Sequence, residues 1–400
     1  MSLNFEKAIH PMISVEFRPW FILAGLTLGV TVTNGFARFA YGLILPAMRS
    51  EMGWSFAQAG WLNTANALGY LCGAILTMFA IQRTSQTKLF SIGIIVTTLS
   101  LLATGFETNL WWQTFWRISA GFFGAMSFST AGALAAGLFP KNPYYSALAI
   151  AILFGSGGGL AIFLAGASLP LMIDIFGTSE WPFAWTLIGA VSLCFLPISL
   201  WSAKQLRVSS QNNKNSVSPP VLRLLPEIIG YACFGFGYIV YLTFLSAWMT
   251  QTKADASFIT LVWVILGLCI TFSPFLWRRI FARYASGVPL ACVLVCIATG
   301  SALPVMLPSS FSLIVSAVIF GFSVFMAPSS ITNFIHKNLP PESWATTISL
   351  FTVIFAVTQT IGPYGAGLLG DYFENIGISL LGASLVLLVG ATFALFQKPL

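Results

Sequence analysis

The sequence predicts an all-α membrane protein with twelve transmembrane helices in two pseudo-symmetric six-helix bundles. Three observations predict it. Hydrophobic residues make up 57% of the 400 and charged residues only 7%, against roughly 25% charged in soluble domains, so most of the surface does not face water. Apolar runs of about 20 residues, the length that crosses a bilayer's hydrocarbon, recur twelve times along the chain. One of those runs also repeats its own pattern later in the sequence.

The first bundle holds runs at 20–45, 56–80, 88–106, 110–138, 145–173 and 182–203. The second holds 226–250, 257–277, 287–307, 311–335, 343–369 and 376–396. Breakers set the limits: Pro46 closes the first run, Pro140 to Pro143 part the fourth from the fifth, and Pro308 parts the ninth from the tenth. The pair Pro340–Pro341 precedes the eleventh. The polar stretch Ser209 to Pro220 lies in the linker 204–225, which divides six spans from six. Residues 1–19, with Glu6, Lys7, Glu16 and Arg18, read as a short cytoplasmic tail, not a removable signal peptide. The domains are therefore the tail 1–19, a bundle 20–203, the linker 204–225 and a bundle 226–400.

Charge fixes the orientation. With the N-terminus inside, Lys7, Arg18, Arg83, Lys88, Lys141, Lys204, Arg207, Lys214, Arg223, Arg278, Arg279, Arg283, Lys337 and Lys398 are cytoplasmic, fourteen of the eighteen Lys and Arg. The outer loops hold Arg49 and Lys253 among Glu51, Glu107, Asp174, Glu180, Asp255, Asp371 and Glu374. This positive-inside bias places both termini in the cytoplasm, as an even number of spans requires. It also accounts for the net charge of +7 without nucleic acid as a partner. The lipid bilayer is the partner the composition demands.

Gly35-Phe-Ala-Arg-Phe-Ala-Tyr41 and Gly235-Phe-Gly-Tyr-Ile-Val-Tyr241 align at an offset of 200, continuing through Leu45/Leu245 and Ala47/Ala247. Spans 1 and 7 are thus equivalents, and two parallel halves related about the membrane normal follow. Arg38 aligns with Tyr238, so the cation belongs to one half and a central site is expected to be asymmetric.

Arg38 and Arg117 are the charges well inside the apolar runs, with no Asp, Glu or His at depth. A charge at the centre of a membrane helix costs about 2.5–3.5 kcal/mol, so each is expected to face water or a partner. Two cations without a carboxylate leave a place for an anion. Counted from Pro46 and from Leu110, both lie roughly 10–12 Å below the outer surface, a level at which they could clamp one anionic group. Each could instead bond backbone carbonyls or side-chain oxygens. The six cysteines lie in apolar runs without a Cys-x-x-Cys pair and read as packing residues, so neither a metal nor a cofactor is expected. No residue at depth pairs a nucleophile with a base, and no glycine run has the strand–turn–helix setting of a phosphate loop. An enzyme is not expected.

Six plus six spans, a basic central loop and repeated halves resemble the major facilitator superfamily. Arg117-Ile-Ser-Ala-Gly121-Phe-Phe-Gly124-Ala resembles its span-4 pattern, Trp181-Pro-Phe-Ala-Trp-Thr-Leu-Ile-Gly189 its aromatic entry to span 6, and Gln359-Thr-Ile-Gly-Pro-Tyr-Gly365 its span-11 Gly-Pro stretch. Arg38-Phe-Ala-Tyr-Gly-Leu-Ile-Leu-Pro-Ala-Met48 followed by Gln58-Ala-Gly-Trp-Leu-Asn-Thr-Ala-Asn-Ala-Leu-Gly-Tyr70 resembles the bacterial YbfB/YjiJ branch. The loop Ile81-Gln-Arg-Thr-Ser-Gln-Thr-Lys88 departs from the superfamily's acidic pattern, with Gln82 where the acid would stand. The charge latch usual there is therefore in doubt. Gly155-Ser-Gly-Gly-Gly159 lacks the adjacent proline associated with antiporters.

The resemblance implies a transporter of the bacterial inner membrane that works by alternating access as a monomer, with spans 1, 4, 7 and 10 lining the cavity. The expected cargo is a small organic anion. The candidate site is Arg38, Arg117, Asn34, Tyr41, Asn63, Asn66 and Tyr70 on one side, facing Tyr238, Tyr241, Asn333 and Gln359. The amides serve equally well as bonds between helices, and the aromatic residues at large are assigned packing. His10, His336 and Glu227 lie toward the inner surface, so no ordinary proton carrier remains at mid-membrane. Anion exchange, uniport, or symport with the proton on the substrate's own acid group are left. The alternative function is export of neutral or amphipathic compounds, with both arginines structural.

Overall fold

The computed structural model describes residues 6–81, 83–139, 143–206 and 219–400, and every regular element among them is helical. Among the described residues, twelve helices are long and apolar enough to cross a membrane: Arg18–Met52, Phe56–Ala80, Gln86–Thr104, Leu110–Ala136, Leu148–Phe176, Thr178–Lys204, Val221–Gln251, Ala256–Arg283, Val288–Met306, Ser310–Asn338, Pro341–Tyr372 and Ile376–Leu395. They are spans 1 to 12. Gln82, Pro140 to Asn142 and linker residues 207–218 lie outside the described residues, so the loop departure at Gln82 has no structural counterpart here.

The stretch expected as a cytoplasmic tail is helical from Glu6. Span 1 does not stop at Pro46; it runs to Met52 and ends where Gly53 takes φ 63° and its N–H caps the Arg49 carbonyl. A left-handed glycine terminates a helix more surely than a proline, which removes one hydrogen bond and leaves the following turns intact. Arg38 therefore lies fourteen residues from the outer end of span 1, about 21 Å along the axis. Arg117 lies seven residues from the start of span 4, about 10 Å along. Counted this way Arg117 starts nearer its own helix end, but its guanidinium reaches the Ala37 carbonyl beside Arg38.

Span 1 is irregular just where it carries Arg38. A π-helical segment, Thr31–Phe36, precedes the short α-turn Ala37–Phe39, and the helix restarts at Tyr41. The restart is held by the Leu43 and Ile44 N–H groups, which both donate to the Ala40 carbonyl, at 3.1 and 3.3 Å. Wide turns of this kind re-aim side chains and recur at functional positions.

Spans 1 and 7 are the most enclosed helices, at the centre of the molecule. The halves meet where span 2 packs on span 11 and span 5 on span 8. The face where spans 1, 7 and 11 end and span 2 begins is the one the charge bias assigns to the outside, termed the outer face. Hydrogen bonds join the halves there. Asp371, at the end of span 11, accepts from the Phe56 and Ala57 N–H groups opening span 2, at 2.7 and 2.8 Å. Thr64 donates to the Thr360 carbonyl at 2.7 Å and accepts from the Tyr364 N–H at 3.3 Å. Asn63 donates to Thr243 at 2.5 Å. Two glycines make the contact close: a Cβ on Gly42 would strike the Leu242 carbonyl, and one on Gly60 the Pro363 carbonyl.

Candidate functional site

Arg38 is 5% exposed and points across the interface between the halves. Its Nη1 donates to Asn34 Oδ1 at 3.4 Å, one turn earlier on span 1. Its Nη2 donates to the Tyr238 hydroxyl at 2.9 Å and also to Gln359 Oε1. Tyr238 in turn donates to Gln359 Oε1 at 3.0 Å. The face of Tyr70 lies 4.5 Å from the guanidinium carbon, a cation–π contact. Five of the residues expected from sequence, on spans 1, 2, 7 and 11, thus meet in one buried cluster. All of Arg38's hydrogen-bond partners are neutral, so the positive charge is solvated but not balanced. Gln359 is fully buried, and with its Oε1 taken by Arg38 and Tyr238 its Nε2 has no partner. The cluster therefore presents a cation and an unused N–H donor side by side.

Arg117 occupies a different setting. Its Nη1 donates to the Ala37 carbonyl at 2.6 Å, its Nη2 to Asn63 Oδ1 at 3.3 Å and its Nε to the Leu62 carbonyl at 3.4 Å. The rings of Tyr41 and Trp185 flank it, at 5.0 and 5.5 Å. Every one of these partners lies in the first half. The guanidinium binds span 4 to the irregular turn of span 1 and to span 2, and its donors face two backbone carbonyls and the Asn63 amide oxygen. The expected clamp of two arginines on one anion is not what the geometry presents.

The remaining candidates divide by their bonds. Asn66 donates to the Arg117 carbonyl at 3.0 Å, and Tyr41 to the Ala59 carbonyl at 2.6 Å, both inside the first half. Asn63 spans the halves toward Thr243. Tyr241 shares a hydrogen bond of 2.8 Å with Ser316 inside the second half. Asn333 lies five residues from the inner end of span 10, apart from the cluster, with its Nδ2 unpartnered. Glu227, expected at the inner surface, is 1% exposed and lies against Gly287 and away from the cluster, its Oε2 without a partner.

Sequence reasoning missed the rings around the cluster. Tyr238 packs against Phe234, at 4.7 Å, and Phe355, at 5.6 Å, which also touch each other at 5.7 Å. Phe325 of span 10 reaches over Phe39, at 5.5 Å, and Phe128 of span 4 meets Tyr70 at 6.3 Å. A signal existed: Phe351, Phe355 and Gln359 recur every fourth residue, one helical face.

Comparison with known proteins agrees with this architecture. A family model described as "Uncharacterised MFS-type transporter YbfB" matches residues 30–395. Among solved structures, a bacterial homologue of the human lysosomal transporter Spinster, inward-facing and unoccupied, aligns with TM-score 0.70 and 15% identity, over 95% of this chain and 96% of that one. The same protein inward-facing and occupied aligns with TM-score 0.70 and 16% identity, over 95% and 96%. The nucleoside transporter NupG aligns with TM-score 0.68 and 12% identity, over 94% and 97%. At such identities the likeness shows the fold alone.

Proposed function

The chain belongs to the YbfB-type family of major facilitator transporters, and from that premise we propose that it carries a small organic anion across the bacterial inner membrane. The observation that supports this reading is the pairing at the centre of the molecule: Arg38, solvated only by neutral oxygens, beside the unpartnered Gln359 Nε2. A buried polar donor without an acceptor costs about 1–3 kcal/mol, and a buried charge is tolerated when paired. A carboxylate, sulfonate or phosphate supplies both missing partners at once. A neutral, apolar cargo supplies neither.

The mechanism is alternating access, the two halves rocking about an anion held by Arg38, Tyr238 and Gln359. These three residues come from both halves, so a ligand bound to them feels the relative position of the halves directly. The bonds at Asp371, Thr64 and Asn63 close the outer end in the conformer described here. Arg117 braces spans 1, 2 and 4 within the first half without touching the cargo. Both termini are cytoplasmic, and the working unit is a monomer, because the site is complete within one chain. Coupling is by anion exchange, by uniport, or by a proton carried on the substrate's acid group.

The test is thermal stabilisation of detergent-purified protein across organic acids, amines and neutral drugs, wild type beside Arg38→Ala. Stabilisation by a subset of anions, lost in the variant, supports the reading. Stabilisation of both proteins by neutral or cationic compounds replaces it with export of amphipathic metabolites.

A further inference from the structure

Resting on the reading of Arg38 as the anion site, we propose that the cargo is an aromatic monocarboxylate whose ring lies on the inner side of Arg38. The single acid group follows from the donors. Arg117 has spent its nitrogens on the Ala37 and Leu62 carbonyls and Asn63 Oδ1. Arg38 and the free Gln359 Nε2 remain, one cation and one amide donor. That set matches the two oxygens of one carboxylate. A dicarboxylate would bury a second charge with nothing of opposite sign to meet it.

The ring follows from what surrounds those donors. Counting along the helices from the outer face, Arg38 lies fourteen residues down span 1 and Gln359 thirteen down span 11. Phe355 lies seventeen down span 11 and Phe128 eighteen down span 4, one helical turn (~5 Å) further in. Phe325, fifteen down span 10, lies between Arg38 and that level, on the second half. All three are only partly buried, whereas the rings they touch, Tyr238, Tyr70 and Phe39, are buried. Their partners include rings of the central cluster (Tyr238 at 5.6 Å, Tyr70 at 6.3 Å, Phe39 at 5.5 Å), which places all three beside Arg38 and Gln359. Aromatic pairs favour centroid separations of about 4.5–7 Å and add to the energy of apolar burial. A ring joined to a carboxylate directly or through one methylene places its head on Arg38 and its body among Phe355, Phe128 and Phe325. A sugar acid or hydroxy acid would bring hydroxyls to a level furnished with rings.

The test measures thermal stabilisation by benzoate, phenylacetate, cyclohexanecarboxylate, lactate, succinate and neutral benzamide. It uses wild type, Arg38→Ala, Phe355→Leu and Phe128→Leu. Benzoate or phenylacetate is expected to bind at least about tenfold tighter than lactate or succinate. Phe355→Leu and Phe128→Leu, which keep an apolar side chain and so keep the fold, are expected to weaken the aromatic acids about 3- to 10-fold and leave lactate unchanged. Arg38→Ala is expected to lose every carboxylate. Lactate or succinate binding as tightly as benzoate overturns the ring assignment and leaves the anion site standing. Stabilisation by benzamide but by no carboxylate overturns both, as does the absence of stabilisation by any of the acids.

Discussion

Arg38 and Tyr238 hold equivalent places in the two halves, 200 residues apart, and Arg38 Nη2 donates to the Tyr238 hydroxyl at 2.9 Å. The pseudo-twofold thus brings a cation of one half onto a neutral oxygen of the other. Had the repeat been exact, two guanidiniums would face each other. Divergence at this one pair turns a symmetric seam into a site with a polarity.

Tyr238→Phe keeps the ring packed against Phe234 and Phe355 and removes the hydroxyl that orients the guanidinium. A hydrogen bond to a charged group contributes about 1.5–3 kcal/mol, so anion affinity is expected to fall by about tenfold or more, with the melting temperature little changed. Arg38→Lys keeps the charge but loses the planar fork and is expected to weaken binding at least as much. Titration of a stabilising anion against both variants decides it; full affinity in either would remove Arg38 from the site.

Arg117→Met should behave in the opposite way. It leaves the Ala37 and Leu62 carbonyls without their donor inside the first half, at about 1–3 kcal/mol each. A lower melting temperature and lower yield are expected, while the protein that folds binds the anion within about threefold of wild type. Lost affinity at an unchanged melting temperature would make Arg117 a ligand residue.

The twelve spans and the two bundles were legible because their causes are local: apolar length, breakers and charge bias all sit in consecutive residues. The repeat located Arg38 opposite Tyr238 because symmetry is written in the sequence. The depth of Arg38 was misjudged because Pro46 reads as a stop, whereas the stop is a left-handed Gly53 beyond it. Arg117 could not be separated from Arg38 by sequence. Which oxygens a guanidinium reaches depends on how spans 1, 2 and 4 pack, and that packing is not written locally. The same holds for Asp371, which reads as a loop acid and caps a helix 315 residues away.

Glu227 tests the coupling. It lies between the start of span 7, Gly287 and Gln397, and both its Oε2 and Gln397 Oε1 lack partners. Glu227→Gln supplies an N–H donor near the unpartnered Gln397 Oε1, so stability is expected to be unchanged or to rise by about 1 kcal/mol. Transport in vesicles should keep its rate within about twofold and its response to an imposed proton gradient. If the gradient response disappears while anion exchange persists, Glu227 carries the coupled proton and the coupling argument fails.

The outer seal gives a prediction whose sign depends on which half a contact belongs to. Asp371 places both carboxylate oxygens on free N–H groups at the N-terminus of span 2, where the helix dipole adds to two charge-assisted bonds. Asp371→Asn removes the charge and offers one acceptor in place of two. A change of about 1.4 kcal/mol in the balance between states shifts their ratio tenfold. The variant is therefore expected to open outward more often. The readout is labelling of Ala247→Cys by a membrane-impermeant maleimide, with the six native cysteines replaced. Gly42→Ala should raise labelling too, because its Cβ meets the Leu242 carbonyl of the opposite half and the collision is relieved by parting the halves. Gly121→Ala makes a collision of the same kind with the Asn66 carbonyl, but inside the first half. It should lower the melting temperature and leave labelling unchanged, since no rocking of the halves relieves it. Equal labelling in Asp371→Asn and wild type would mean that Asp371 caps span 2 without contributing to the gate.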